Sequence, residues 1–212
     1  MTEAWLRGPM EGVPPRLMPV AHSLQDALDD IEAAATGLDA KGLWARPGGV
    51  ASVGFHLRHV CGSLDRLLTY ARGETLTEEQ LAALLTEAHP GDPPATADRL
   101  LDEVHAAIGS AIDTLRSVPE GSLLEPRLVG RAQLPSTVQG LLFHAAEHTR
   151  RHAGQVIATA GIVRADLVPA EGARAGGDRA EIVATAVRAW EDAGIRGLCG
   201  EGRFEAVIAT IR

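Results

Sequence analysis

From Leu17 onward the apolar residues recur at alternating steps of four and three: Leu17, Ala21, Leu24, Leu28, Ile31, Ala35 and Leu38. A helix turns about 100° per residue, so this rhythm keeps every apolar side chain on one narrow stripe and predicts a long helix packed in a bundle. Three further stretches repeat the rhythm. After Ser52, a candidate N-cap, come Leu57, Val60, Cys61, Leu64, Leu67, Leu68 and Ala71, with Gly73 as the stop. A third helix carries Leu101, Val104, Ile108, Ala111, Ile112 and Leu115 and closes at Pro119 and Gly121. A fourth, capped by Ser136, carries Val138, Leu141, Leu142, Ala145, Val156 and Ile157 and ends at Gly161. Between the second and third, Thr77 with Gln80 forms a capping-box pair for a short helix through Leu81, Leu84 and Leu85.

No strand-like alternation competes with this reading, so the fold class is all-α, a four-helix bundle over residues 16–163. The first fifteen residues hold Gly8, Gly12, Pro14 and Pro15 and read as loosely ordered. Residues 164–177, rich in Ala, Gly and charge, read as a linker. Residues 178–212 form a helical tail in which Val183, Val187 and Trp190 mark an amphipathic stripe, with Phe204, Val207, Ile208 and Ile211 in a last short helix. Such a stripe is not stable alone in water and must pack on its own bundle or on a second copy. A homodimer is the default expectation.

Composition narrows the function. Aromatic residues make up 3% of the 212-residue chain, which leaves the core to aliphatic side chains. The formal net charge is −8, against nucleic-acid binding, which needs clustered positive charge. No stretch approaches the roughly 18 apolar residues of a membrane span. Arg7 is followed by no apolar run of the signal-peptide kind. With two cysteines, Cys61 and Cys199, there is no disulfide framework, and a cytoplasmic location is expected.

The histidines carry the chemistry. His148 and His152 are four residues apart, which places the two imidazoles about 40° apart on one helical face, one turn from each other. They continue the stripe Leu141, Ala145, Val156 and so point into the bundle. Imidazoles in an apolar interior need partners. Taken alone, such a pair reads as two hydrogen-bonded core histidines; a metal bound at about 2.1 Å from each nitrogen satisfies them equally well. A second His-rich segment, Phe55-His56-Leu57-Arg58-His59-Val60, starts the second helix. His59, His56 and His144 are each candidates for a third ligand. Gly154 and Gln155 follow the pair where a backbone or ligand has room to approach. His22 falls on the polar face of the first helix, His89 in a loop and His105 at a stripe edge, and these read as incidental.

The segments Gly54-Phe55-His56-Leu57-Arg58-His59-Val60 with Leu64-Asp65-Arg66-Leu67-Leu68, and Glu147-His148-Thr149-Arg150-Arg151-His152-Ala153-Gly154-Gln155, resemble the DinB/YfiT-like superfamily of metal-dependent enzymes. That family places one His in its second helix and an H-x3-H followed by a Gly-Gln or similar pair in its fourth. The resemblance covers about residues 17–163. It implies a four-helix bundle with an open-faced site, His59, His148 and His152 as the metal triad, and a nickel, zinc, iron or manganese ion. It further implies, for some members, transfer or isomerisation that depends on a low-molecular-weight thiol cosubstrate.

A three-imidazole divalent site activates either a bound water or a bound thiol. A thiol S-transferase acting on an electrophilic small molecule is therefore expected ahead of a metal-dependent hydrolase. The reading from a different class is a non-catalytic protein in which the metal is structural and the tail docks on a partner. His56, His144, Gln155 and Ser63 are candidate outer partners or substrate contacts. No general base stands out. Glu147 reads as an ion pair with Arg151, Asp65 with Arg66 is equally ambiguous, Cys61 reads as inert packing, and Cys199, flanked by glycines, has only Arg196 and Arg203 nearby to lower its pKa.

Overall fold

A computed structural model describes residues 2–167. The linker beyond residue 167, the tail over 178–212 and Cys199 lie outside the described residues. Four long helices make the body: α1 (Met18–Ala35), α3 (Val53–Ala71), α5 (Ala97–Ser117) and α6 (Val138–Leu167). Two short ones, α2 (Ala40–Leu43) and α4 (Glu78–Thr86), sit in the connections. The stripes read from the sequence are the core: Leu24, Ile31, Leu57, Leu64, Ile108, Leu115 and Leu142 are all at most 1% exposed. Asp39, Ser52, Thr77 and Thr96 each accept a backbone N–H at the start of their helices, and Thr77 with Gln80 closes the expected capping box.

The long helices pack as a square. α6 lies against α1 and α3, and α5 lies against the same two. Of the consecutive long helices, α1 with α3 and α5 with α6 therefore stand across the diagonals, while α3 and α5 are neighbours. This arrangement makes α3 and α6, the two helices with His-rich segments, neighbours along one seam.

Four expectations change. The run before α6 holds a two-stranded antiparallel hairpin, β1 (Pro126–Val129) and β2 (Leu134–Thr137), paired from Pro126–Thr137 to Val129–Leu134. With four residues per strand, half of them exposed and none buried, and with Pro135 among them, it carries too little alternation to show in the sequence. It is anchored by Arg127 Nε, which donates to the Ala71 carbonyl at the end of α3 at 2.8 Å. Ser136 therefore belongs to a strand, and the α6 cap is its neighbour: Thr137 Oγ1 accepts from Gly140 N at 3.0 Å.

α6 also runs through Gly161 to Leu167. A mid-helix Gly costs about 1 kcal/mol against Ala, but Val163 beyond it is buried and Arg164 donates to the Thr36 carbonyl at 3.0 Å, so packing against the end of α1 overrides it. The N-terminal segment is likewise docked. Ala4 N donates to Asp26 Oδ1 at 2.6 Å, Arg7 pairs with Asp29, Val13 is buried, and His22 Nε2 meets the Gly8 carbonyl at 2.9 Å.

Trp44 locks the connection after α2. Its Nε1 donates to the Ala95 carbonyl at 3.0 Å, and the Arg58 guanidinium lies 5.0 Å above its ring. The ring fits because position 54 has no side chain: a Cβ there would come within 2.8 Å of it. Gly54→Ala is expected to lower stability by about 1–3 kcal/mol through overpacking. Gly154→Ala, in open space on α6, is expected to raise it by about 0.5–1 kcal/mol. Urea unfolding of the two variants checks the opposite signs.

Candidate metal centre

The seam between α3 and α6 brings His56 and His59 opposite His148 and His152. His59 Nε2 lies 2.9 Å from His148 Nε2, and His56 Nδ1 lies 3.0 Å from His152 Nδ1. The rings of His59 and His152, and of His148 and His152, have centroids 4.5 Å apart. His59, His148 and His152 each offer one nitrogen such that all three atoms lie within 4.8 Å of one another. The rotation that periodicity left open is thus resolved: the ring at 59 faces the pair on α6. Phe55, one turn before it, stacks on His59 with centroids 5.4 Å apart and planes inclined 15°.

Desolvation shapes the electrostatics. Burial, reinforced by the neighbouring His59, pulls His56 down to about 4. Burial followed by His59, His148 and His56 pulls His152 down to about 3. His148 is lowered by the same cause, burial ahead of its His59 and His144 neighbours. Neutral imidazoles keep a lone pair on one nitrogen each, which is the form a metal requires. His148 Nδ1 is buried and has no hydrogen-bond partner among the described residues. Converging lone pairs and an unsatisfied buried ring fit a divalent ion of the zinc, nickel, iron or manganese kind.

Sequence reasoning missed the carboxylate behind the site. Glu87, just past α4 and 5% exposed, places Oε2 2.7 Å from His59 Nδ1 and accepts from Arg66 Nη1 through Oε1 at 2.8 Å. Burial raises its pKa, but the hydrogen bonds from His59 and then Arg66 outweigh that, and it stays below the usual carboxylate value. Arg66 therefore pairs with Glu87, while Asp65 accepts from Gln80 at 2.8 Å. Neither pairing follows an i, i+4 rule, so spacing gave no sign of it.

The other candidates scatter. His56 joins the cluster through His152. His144 is half exposed and contacts Glu147 at 3.2 Å, and Glu147 also accepts from Arg151 Nε at 3.1 Å, the pair expected from spacing. Ser63 is buried, but its hydroxyl donates to the Val60 carbonyl at 3.1 Å. Gln155, expected near the cavity, is instead exposed on α6, about two turns beyond His148 along the helix. Nothing lies within 4 Å of a Cβ built at Gly154, so no backbone approaches there among the described residues. His105 meets Glu32 at 3.6 Å, and His89 is exposed. Cys61 is half-buried, and burial with Glu103 nearby pushes its thiol up to about 12. A groove of about 460 Å³ between α1 and α6, lined by Val20, Phe143, Glu147, Arg150 and Arg151 among others, includes none of the four seam histidines.

The sequence model of the DinB superfamily matches residues 23–156, well over half the chain. The chain belongs to the DinB superfamily. The match takes in both histidine segments and Glu87, and stops four residues after His152. No curated protein matches the chain at a significant level. Within the DinB fold the seam histidines are thus the part of this chain where titratable groups converge. Among the described residues, no helix is long and apolar enough to cross a membrane.

The depressed imidazoles give a pH signature. An unfolded His binds its proton near 6.5, whereas His56 and His152 in the fold do so near 4 and 3. The unfolded chain binds more protons in that window, so their contribution is full above about pH 6.5 and is lost as pH falls toward those folded values. The urea midpoint of the metal-free protein should fall on acidification through this range, and His56→Gln should flatten the dependence.

Proposed function

We propose that this DinB-superfamily chain is a metal-dependent enzyme that transfers a low-molecular-weight thiol to an electrophilic small molecule, with His59, His148 and His152 holding one divalent ion. The observation that carries the reading is the convergence of three imidazole nitrogens from two helices to within 4.8 Å. A divalent ion held there would favour the thiolate form of a thiol cosubstrate at neutral pH. The chain's own residues orient the ligands, with Glu87 and Phe55 fixing the His59 ring and His56 bonding His152. The apolar walls of α3 and α6 exclude water from the buried side.

Two features favour a thiol cosubstrate over metal-assisted hydrolysis. A hydrolase benefits from a carboxylate free to take a proton, whereas Glu87 has one oxygen on His59 and the other on Arg66. Among the described residues the cysteine, Cys61, has its thiol held protonated by burial, so it does not compete as a nucleophile with the thiol of a cosubstrate. In the transfer the thiolate sulfur bonds the electrophilic carbon, and the leaving group departs with the electron pair of the bond it loses. The thiol proton goes to solvent.

Zinc or nickel titrated into metal-free protein should bind at one ion per chain. His148→Ala and His152→Ala should each weaken binding by more than the roughly 10–100-fold typical of losing an outer partner, with helicity retained. The loaded protein should conjugate at least one low-molecular-weight thiol to a generic electrophile. Conjugation with none of a panel of thiols, while the ion is bound, overturns the transferase reading. Loss of the ion only when the bundle melts assigns it a structural role instead.

A further inference from the structure

α4 poses an energetic question. It buries none of its residues, and Leu81, Leu84 and Leu85 along it are exposed. It is held to α3 by polar ties: Gln80 Nε2 donates to Asp65 Oδ2 and Thr69 Oγ1, each at 2.8 Å, and Arg58 donates to the carbonyls of His89 and Pro90 just beyond. The next residue after this solvent-facing helix, Glu87, is nevertheless almost fully buried. Taking a carboxylate out of water is costly unless every lone pair finds a donor. A helix that sends only a carboxylate into the bundle gains little as a packing device.

The route it takes is also specific. Glu87 reaches His59 across Gly62. A Cβ at 62 would collide with Glu87 Oε1 and would stand 2.7 Å from Arg66 Nη1. The open position on α3, the Arg66 guanidinium one turn on, and the end of α4 together bring the carboxylate to the outer nitrogen of the one α3 histidine that meets both His148 and His152.

We propose that Glu87 is a positioning residue of the metal centre: seated by Arg66 in the gap at Gly62, its carboxylate fixes His59 with the proton on Nδ1 and so aims the Nε2 lone pair at the point shared with His148 and His152. An ionised carboxylate only accepts hydrogen bonds, so the proton in the 2.7 Å contact belongs to the ring. That leaves Nε2, 2.9 Å from His148 Nε2, as the acceptor. Carboxylate–imidazole pairs of this kind hold a ligand's tautomer and raise its basicity.

This inference rests on the metal-centre reading of the three histidines, and its test separates the two. Long-range nitrogen–proton correlation spectra of the metal-free protein, at mildly alkaline pH, report which ring nitrogen of each histidine carries the proton. Wild type should show His59 as the Nδ1–H form, and Glu87→Gln should show a mixture of both tautomers. Zinc affinity of Glu87→Gln should fall about 10–100-fold. Gly62→Ala, which keeps both charges, should weaken zinc in the same direction. A wild-type His59 protonated on Nε2 alone overturns the proposal. So does a folded Glu87→Gln that keeps the Nδ1–H form and binds zinc like wild type, as it would if Glu87 served stability only. Failure of wild type to bind zinc or nickel sinks the metal reading, and the metal-free spectra still decide whether Glu87 orients His59.

Discussion

Four imidazoles in the interior of an aliphatic bundle cannot all be satisfied by one another, and this constraint governs the seam between α3 and α6. Each neutral ring brings one donor and one acceptor. The pairs His56–His152 and His59–His148 use up part of that capacity, Glu87 takes one more proton, and His148 Nδ1 is left without a partner. Protonating a ring to gain a donor is opposed by burial and by the other rings, which is why His56 and His152 are held so far down. The arrangement has lone pairs to spare and few protons to fill them. That is the chemistry of a cation site, and the same excess makes the seam sensitive to acid.

Much of the bundle was legible in the sequence because burial in an amphipathic helix follows a period. The stripes through Leu24, Leu57, Ile108 and Leu142 needed only the spacing of apolar residues, and the caps at Ser52 and Thr77 needed only local hydrogen-bonding chemistry. The His148–His152 pair was legible for the same reason, since four residues on one helix fix a face. His59 was harder, because its direction depends on how α3 is rotated against a helix 89 residues away. The resemblance to the DinB pattern, and not periodicity, singled it out from His56 and His144.

What stayed hidden depended on tertiary approach. Glu87 lies at the end of a helix whose leucines face solvent, so the local pattern drew attention to Leu81, Leu84 and Leu85 rather than to the carboxylate that turns inward. Gly62 looks like any mid-helix glycine until the side chain it admits is seen. The hairpin before α6 is too short and too exposed for a two-residue alternation to register. α6 passes Gly161 because Val163 beyond it is buried and Arg164 donates to the Thr36 carbonyl at the end of α1, which propensity does not weigh. Gln155 lies about two turns beyond His148 along α6, and helical spacing alone did not show that this stretch is exposed.

The diagonal placement of consecutive long helices also bears on how the bundle assembles. A bundle of simple antiparallel hairpins closes mostly local contacts and folds quickly. Here α6 rests on α1 and α3, and its ties reach far along the chain: Arg150 to Asp30 spans 120 residues, Arg164 to Thr36 spans 128, and His152 to His56 spans 96. Each of these ties closes a loop of about a hundred residues or more, and the entropy of that closure opposes the contact until the rest of the bundle supports it. These long-range ties raise the mean sequence separation of the bundle's contacts, so it should fold more slowly than a bundle of antiparallel hairpins of the same helix content.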